Sequence, residues 1–161
     1  MLTLPTTVDA VLAQVWRPAM AILPPLVRSG RADVIGLAIG GQESGYRTRV
    51  QTGGGPARSF WQFERGGIRG VLSDQTSRAM AVAACTELGV MPTVDTVYVA
   101  METNDLLGAV FARLLLWTDP LPLPTDPAGA YALYLRLWRP GKPDDSRWPP
   151  AYKAALHALA D

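Results

Sequence analysis

The stretch Gly41-Gln42-Glu43-Ser44-Gly45-Tyr46 ends an apolar run that begins near Val34. Within this run, small and apolar residues recur at three- and four-residue steps, which is typical of a helix with a buried face. Ser29 provides a start signal before the run, and Gly45 can end the helix in the left-handed conformation. The pattern therefore predicts a helix that begins near Ser29, ends near Ser44 and carries Glu43 in its last turn.

The same signals predict helices along most of the remaining chain. They cover residues 8–20, a helix from Ser73 or Asp74 to Leu88, a short helix from Thr93 or Asp95, residues 106–117 behind Asn104, residues 127–138 behind Asp126, and a short helix after Trp148-Pro149-Pro150. The glycine- and proline-rich residues 46–58 predict a loop with room for a small β-hairpin, and Gly66, Gly67 and Gly70 predict a loosely structured segment. We therefore expect a mainly α, single-domain fold over residues 1–161, with the helix at 8–20 packed on the rest.

The composition is that of a compact globular protein. The chain has 161 residues, of which 48% are hydrophobic and 18% are charged. Fifteen basic and fourteen acidic residues give a net charge of +1, so we expect no nucleic-acid partner. One short window is basic and could face an anionic polymer or form a solvated loop; it contains Arg47, Arg49, Arg58, Arg65 and Arg69.

The single cysteine and the single histidine limit the chemistry. Cys85 lies in an apolar helical run, where we interpret it as a core residue that has no disulfide partner. A zinc site made of several histidines and cysteines needs more than Cys85 and His157, and no nucleophile-elbow pattern accompanies His157. We expect neither a metal nor a cofactor. Charged residues and prolines interrupt the apolar N-terminal window, which predicts neither membrane insertion nor a signal peptide.

Glu43 is the best candidate for a chemical role. A glutamate near a helix end is commonly solvated and inert, but Glu43 follows small and apolar residues and lies where the helix dipole disfavours negative charge. Tyr46, Phe60 and Trp61 are close enough in sequence to exclude water from it. Desolvation and the dipole both raise the pKa of a carboxyl group. Such a group is suited to act as a general acid near neutral pH.

Three sequence elements carry a resemblance to a known family. Glu43-Ser44-Gly45 resembles the catalytic glutamate-serine motif of the lysozyme-like superfamily, whose closest branch is the soluble lytic transglycosylases and goose-type lysozymes. The stretch Pro56-Ala57-Arg58-Ser59-Phe60-Trp61-Gln62 stands where that family has Gly-Ala-x-Gly-Leu-Met-Gln; Ser59 replaces a glycine. The helix from Asn104, with its Gly108-Ala109 step, is similar to a third element.

The fourth element of the family, Ala-Tyr-Asn-Ala-Gly, is only echoed here. Tyr131 or Tyr134 could supply its tyrosine, and a turn over residues 138–143 takes the place of Asn-Ala-Gly. The resemblance covers roughly residues 31–140. It implies a lysozyme-like helical fold with a substrate cleft. It also implies cleavage of the β-1,4 bond between N-acetylmuramic acid and N-acetylglucosamine in peptidoglycan.

The resemblance assigns Glu43 as the general acid. In lytic transglycosylases the same residue then acts as base, and the 6-hydroxyl of the sugar closes a 1,6-anhydro ring without a second carboxylate. In inverting hydrolases a second carboxyl group lies about 6.5–9.5 Å from the first. Glu64 is the candidate for that group, and the alternative is a surface glutamate paired with Arg65 or Arg69.

The resemblance also implies a set of substrate-binding residues. Ser44 would fix the helix end, and Gln62 would bind an N-acetyl group or a backbone carbonyl. Aromatic side chains could stack on sugar rings, although each of them could instead be a core residue. The predicted set is Ser44, Tyr46, Ser59, Phe60, Trp61, Gln62, Tyr131 and Tyr134.

The compact size and the missing secretion signal most resemble a bacteriophage-encoded member, either an endolysin or a virion-associated enzyme. Such a protein is made in the host cytoplasm and acts in the periplasm or cell wall, or is carried in the particle. Its partners would be peptidoglycan glycan strands and other virion proteins. Two alternatives remain open: a non-catalytic structural or wall-binding virion protein with the same fold, and an unrelated helical interaction protein.

Overall fold

A computed structural model describes residues 1–161 and is mainly helical, as predicted. Helix α1 begins at Val8–Val11, passes through a π-helical turn at Leu12–Trp16 and continues over Arg17–Ile22. The other helices are α2 (Gly30–Ser44), α3 (Arg65–Ser73), α4 (Arg78–Glu87), α5 (Val94–Ala100), α6 (Asp105–Trp117), α7 (Pro127–Trp138) and α8 (Trp148–Ala160). The loop after α2 contains only two isolated β-bridges, Val50 with Arg58 and Arg58 with Phe63. None of the helices combines the length and apolar character needed to cross a membrane.

The predicted helix caps are confirmed at several positions. The Ser29 side chain accepts a hydrogen bond from the backbone N–H of Ala32, and Gly45 ends α2 in the left-handed conformation with φ of 58°. The side chains of Thr93, Asn104 and Asp126 cap α5, α6 and α7 in the same way. The predicted helix ends are correct because each cap depends on residues only three or four positions apart.

The structure departs from the sequence prediction around α3 and at the start of α4. Residues 65–73 form α3 although three glycines lie there, because Ile68 and Val71 are buried on one face of that helix. Tertiary packing outweighs the roughly 1 kcal/mol that each glycine costs. Helix α4 begins at Arg78 rather than near Asp74, whose carboxylate instead accepts hydrogen bonds from the backbone and hydroxyl of Thr76 in a preceding turn.

Helix α1 is held against α2 by Trp16. The Trp16 indole N–H donates to Asp33 at 2.8 Å, and its ring lies where a Cβ on Gly36 would be only 2.1 Å away. Only glycine at position 36 therefore allows this close approach. Helix α2 also packs along α8, and α1 packs against α6. A single cluster of 39 buried residues draws on all eight helices, so the chain forms one domain.

The loop between α2 and α3 is anchored to the central helix α6. The guanidinium of Arg49 makes two hydrogen bonds of 2.7 Å to the Asp105 carboxylate, and both side chains are buried. Arg49 also donates to the backbone carbonyl of Leu2. This ion pair holds the loop against the core and so positions the residues that follow α2.

Candidate active site

An open groove of about 700 Å³ runs past the C-terminal end of α2. Its volume falls within the range common for ligand sites in proteins. Its walls are the last turn of α2, the loop behind it, the start of α3 and the segment between α7 and α8. The groove is lined mainly by polar and charged residues: Glu43, Ser44, Arg47, Thr48, Gln51, Thr52, Ala57, Gln62, Glu64, Trp138, Arg139, Pro140, Gly141, Lys142 and Arg147.

Glu43 lies in this groove with a desolvated carboxyl group. Burial is the largest effect on its pKa and raises it above the usual value. The hydrogen bond from Tyr134 and the charge of Arg147 oppose this shift, whereas the nearby charge of Glu64 adds to it. The predicted desolvation of Glu43 is therefore present, and the group retains its proton to higher pH than an exposed glutamate.

Tyr134 is the tyrosine that reaches Glu43. Its hydroxyl donates a hydrogen bond to the Glu43 carboxylate, while the hydroxyl of Tyr131 contacts Asp145 instead. The Tyr134 ring is stacked on Trp148, with centroids 5.6 Å apart and planes 9° from parallel. Burial and the neighbouring Glu43 raise the pKa of Tyr134, so its hydroxyl remains a donor. Tyr134 is only 2% exposed, so its ring cannot stack on a sugar and that prediction is wrong. Its hydroxyl instead orients the Glu43 carboxyl group.

Glu64 lines the same groove and is exposed, immediately before α3. The alternative interpretation, an ion pair with a neighbouring arginine, is not seen. Arg65 pairs with Asp95 at 2.8 Å, and Glu64 has no basic group within salt-bridge distance. Its carboxylate is therefore free to act on a ligand in the groove.

Ser44 and Gln62 are both in the groove. The Ser44 hydroxyl donates to the backbone carbonyl of Gly40 at 3.0 Å and accepts from the Tyr46 N–H at 3.1 Å, which fixes the helix end as predicted. The Gln62 side chain donates to the backbone carbonyl of Ser59 at 2.8 Å. Its backbone adopts a left-handed conformation with φ of 51°. This conformation turns the chain so that Gln62 faces the groove while its neighbours face the core.

Four other predicted substrate-binding residues are core residues: Tyr46, Ser59, Phe60 and Trp61. The Tyr46 hydroxyl donates to the carbonyl of Leu37, and the indole N–H of Trp61 donates to the carbonyl of Gly36 at 2.7 Å. Both rings lie against α2 and are almost completely buried, at 4% exposure for Tyr46 and 0% for Trp61. The prediction that they contact sugar is wrong. Tyr131 is half-buried and does not line the groove either.

The sequence analysis missed most of the wall between α7 and α8. Trp138 is the one aromatic residue that lines the groove, and its indole N–H donates to the backbone carbonyl of Trp61 at 2.9 Å. Arg147 donates to the carbonyl of Gly41 at 3.3 Å, beside the acid. The only sequence signal for this wall was the turn over residues 138–143, which the sequence analysis placed opposite the Asn-Ala-Gly element of the family that the chain resembles.

The basic window predicted in the sequence does not form one face. Arg49, Arg58 and Arg65 are each paired with an acidic residue elsewhere in the chain, and Arg47 is the only member that lines the groove. The positive charge at the groove instead comes mainly from residues after α7. The arrangement offers a desolvated proton donor, a second carboxylate and several cations around one open groove.

No three histidine, cysteine, aspartate or glutamate side chains converge on a possible metal position. Comparisons with family models, with curated proteins and with solved structures find no match to this chain.

Proposed function

We propose that this protein is a peptidoglycan-cleaving glycosidase in which Glu43 is the general acid. One observation carries the proposal: a glutamate with a raised pKa lies at an open polar groove, oriented by a buried tyrosine. A folded protein gains nothing in stability from a desolvated carboxyl group, so its position needs a chemical reason. The type of reaction is inferred from the resemblance of Glu43-Ser44-Gly45 to the catalytic motif of the lysozyme-like superfamily.

In the proposed reaction Glu43 donates its proton to the oxygen of the β-1,4 bond between N-acetylmuramic acid and N-acetylglucosamine. In the transglycosylase route the resulting Glu43 carboxylate then takes the proton of the 6-hydroxyl, whose oxygen closes the 1,6-anhydro ring. In the hydrolytic route Glu64 activates a water molecule on the opposite face of the sugar. The presence of Glu64 in the same groove keeps both routes open.

A bacteriophage origin belongs to the same proposal, with the enzyme acting in host lysis or as part of the virion. In either setting the substrate is the glycan strand of the cell wall. This assignment is supported by the resemblance alone.

Digestion of purified peptidoglycan, followed by mass spectrometry of the muropeptides, tests the proposal. We expect soluble products from the wild type, and a loss of about 100- to 10,000-fold in rate for Glu43→Gln, which keeps the shape but not the proton. Anhydro products, lighter by one water, identify a transglycosylase. Circular dichroism of the variant confirms its fold. Full activity in a folded Glu43→Gln protein would remove Glu43 from the mechanism.

The competing function is a wall-binding virion protein that keeps the groove without cleavage. One observation favours it: residues 139–142 line the groove where the lysozyme-like family has Asn-Ala-Gly, so the wall differs in chemistry. Co-sedimentation with insoluble peptidoglycan, without release of soluble fragments from any cell-wall type, would support this function over catalysis.

A further inference from the structure

The groove is richer in basic residues than in acidic ones, unlike the nearly balanced protein as a whole. Four basic residues line it, Arg47, Arg139, Lys142 and Arg147, against the two carboxyl groups of Glu43 and Glu64. The 161 residues together have a net charge of only +1. The excess of cations at the groove is therefore a local feature, and charge of this kind attracts an anionic ligand.

None of these four basic residues takes part in an ion pair that stabilises the fold. The ion pairs of the protein join Arg49, Arg58, Arg65 and Arg136 to acidic residues elsewhere. The side chains of Arg47, Arg139 and Lys142 make no hydrogen bond or ion pair within the protein. Arg147 makes only the 3.3 Å contact to the Gly41 carbonyl.

The nearest acidic residues outside the groove already have partners. The Asp144 carboxylate accepts from the backbone and hydroxyl of Ser146, at 3.1 and 2.6 Å, and Asp145 accepts from the hydroxyl of Tyr131. Neither forms a salt bridge with a groove cation. A ligand would thus meet basic groups of which none is held in a salt bridge by a carboxylate of the protein.

The cations also come from two separate segments of the chain that line the groove. Arg47 follows α2 on the loop side, while Arg139 and Lys142 project from the turn after α7. Arg139 ends α7 in a left-handed conformation with φ of 50°, a position where glycine or asparagine is more usual. Arginine in this left-handed conformation destabilises the backbone relative to glycine, but it adds a positive charge to the groove wall.

From this placement we infer that the Arg139–Lys142 side of the groove binds carboxylate groups carried by the substrate, so that anionic glycan strands are preferred over neutral ones. The inference rests on the proposed function and specifies its substrate class. Two sources can supply the carboxylate. Intact peptidoglycan carries it on the peptide stems, and strands stripped of stems carry it on the lactyl group of N-acetylmuramic acid.

Binding can be measured in the cleavage-deficient Glu43→Gln background with three probes: stem-bearing peptidoglycan fragments, amidase-treated strands without stems, and neutral N-acetylglucosamine oligomers of matched length. The test variant combines Arg139→Asn, which tolerates the left-handed backbone, with Lys142→Gln. Arg31→Gln is the matched control, because Arg31 is exposed in the first turn of α2, at the opposite end from the groove. Lys142→Gln alone serves if the double variant does not fold.

We expect the double variant to bind anionic strands about three- to tenfold more weakly at low salt, with neutral oligomers and the Arg31→Gln control unchanged. Added salt should reduce this difference. Preference for one anionic probe identifies the source of the carboxylate. Equal binding of neutral and anionic probes by the parent and the double variant overturns the inference, while cleavage by the wild type would leave the proposed function intact. Binding to none of the probes, together with no cleavage by the wild type, would overturn both.

Discussion

The hydroxyl of Tyr134 donates a hydrogen bond to the carboxylate of Glu43, although 91 residues separate the two in the chain. Glu43 lies in the last turn of α2, and Tyr134 lies in α7. The tyrosine ring is fixed by Trp148 and Tyr131, which lie within 5.7 Å between centroids. The acid is therefore oriented by an aromatic cluster that belongs to the C-terminal part of the fold.

Tyr134→Phe should reduce activity and move its pH dependence. The substitution removes a hydrogen bond that lowers the pKa of Glu43, so that pKa should rise further. We expect kcat to fall about tenfold or more because the acid loses its orientation, and the alkaline limb of kcat/KM to shift to higher pH. Tyr131→Phe is the matched control, since its hydroxyl contacts Asp145. An unchanged limb in Tyr134→Phe would contradict the assignment.

Substitutions of Glu64 and Arg147 should shift the alkaline limb of the kcat/KM pH profile in opposite directions. The charge of Glu64 raises the pKa of Glu43 and that of Arg147 lowers it. Glu64→Gln should therefore move the limb to lower pH, and Arg147→Gln should move it to higher pH. A pH series of initial rates at fixed ionic strength measures both. Shifts of the same sign would show that the limb reports another group.

The size of the Glu64→Gln effect also separates the two reaction routes. A transglycosylase should keep most of its rate in this variant, because the route needs no second carboxylate. An inverting hydrolase should lose nearly all of it. Muropeptide mass spectra of the same digests provide an independent check.

Glu43→Gln should stabilise the folded protein at neutral pH. Because burial raises the pKa of Glu43 in the folded state, its ionisation destabilises that state at pH values above the unfolded pKa of 4.5. Stability of the wild type therefore falls as pH rises through this range, whereas glutamine has no such penalty. Thermal unfolding should give a higher Tm for the variant at pH 7 and similar values at pH 3.5. A lower Tm at pH 7 would contradict the desolvation.

Gly108→Ala should destabilise the protein by about 1–3 kcal/mol through overpacking. A Cβ at this position would lie 2.9 Å from the Ser59 Cβ and 3.3 Å from the Trp61 ring. Ser59→Gly removes the first of these contacts, and its backbone φ of 69° suits glycine. The double variant should thus lose less stability than the two single changes predict together. Urea unfolding of all four proteins measures the coupling, and strict additivity would count against this contact.

Local sequence signals predicted helix ends well where those ends depend on residues that are close in sequence. The Ser29 cap and the left-handed Gly45 define both ends of α2, and each depends on contacts within one turn. Helix α3 was not predicted, because its glycines argue against a helix and the burial of Ile68 and Val71 becomes visible only in the packed structure.

The sequence by itself determined a mainly α chain with an acidic residue at the end of α2. Tertiary structure alone decided that Tyr134 rather than Tyr131 reaches Glu43 and that Trp61 faces the core. It also decided that residues 138–142 and Arg147 supply one wall of the groove. That wall is held against α2 by a hydrogen bond of 3.0 Å from Gln42 to the carbonyl of Asp144, 102 residues away. Contacts over such separations depend on how α2, α7 and α8 pack, and no pattern within one helix encodes that packing.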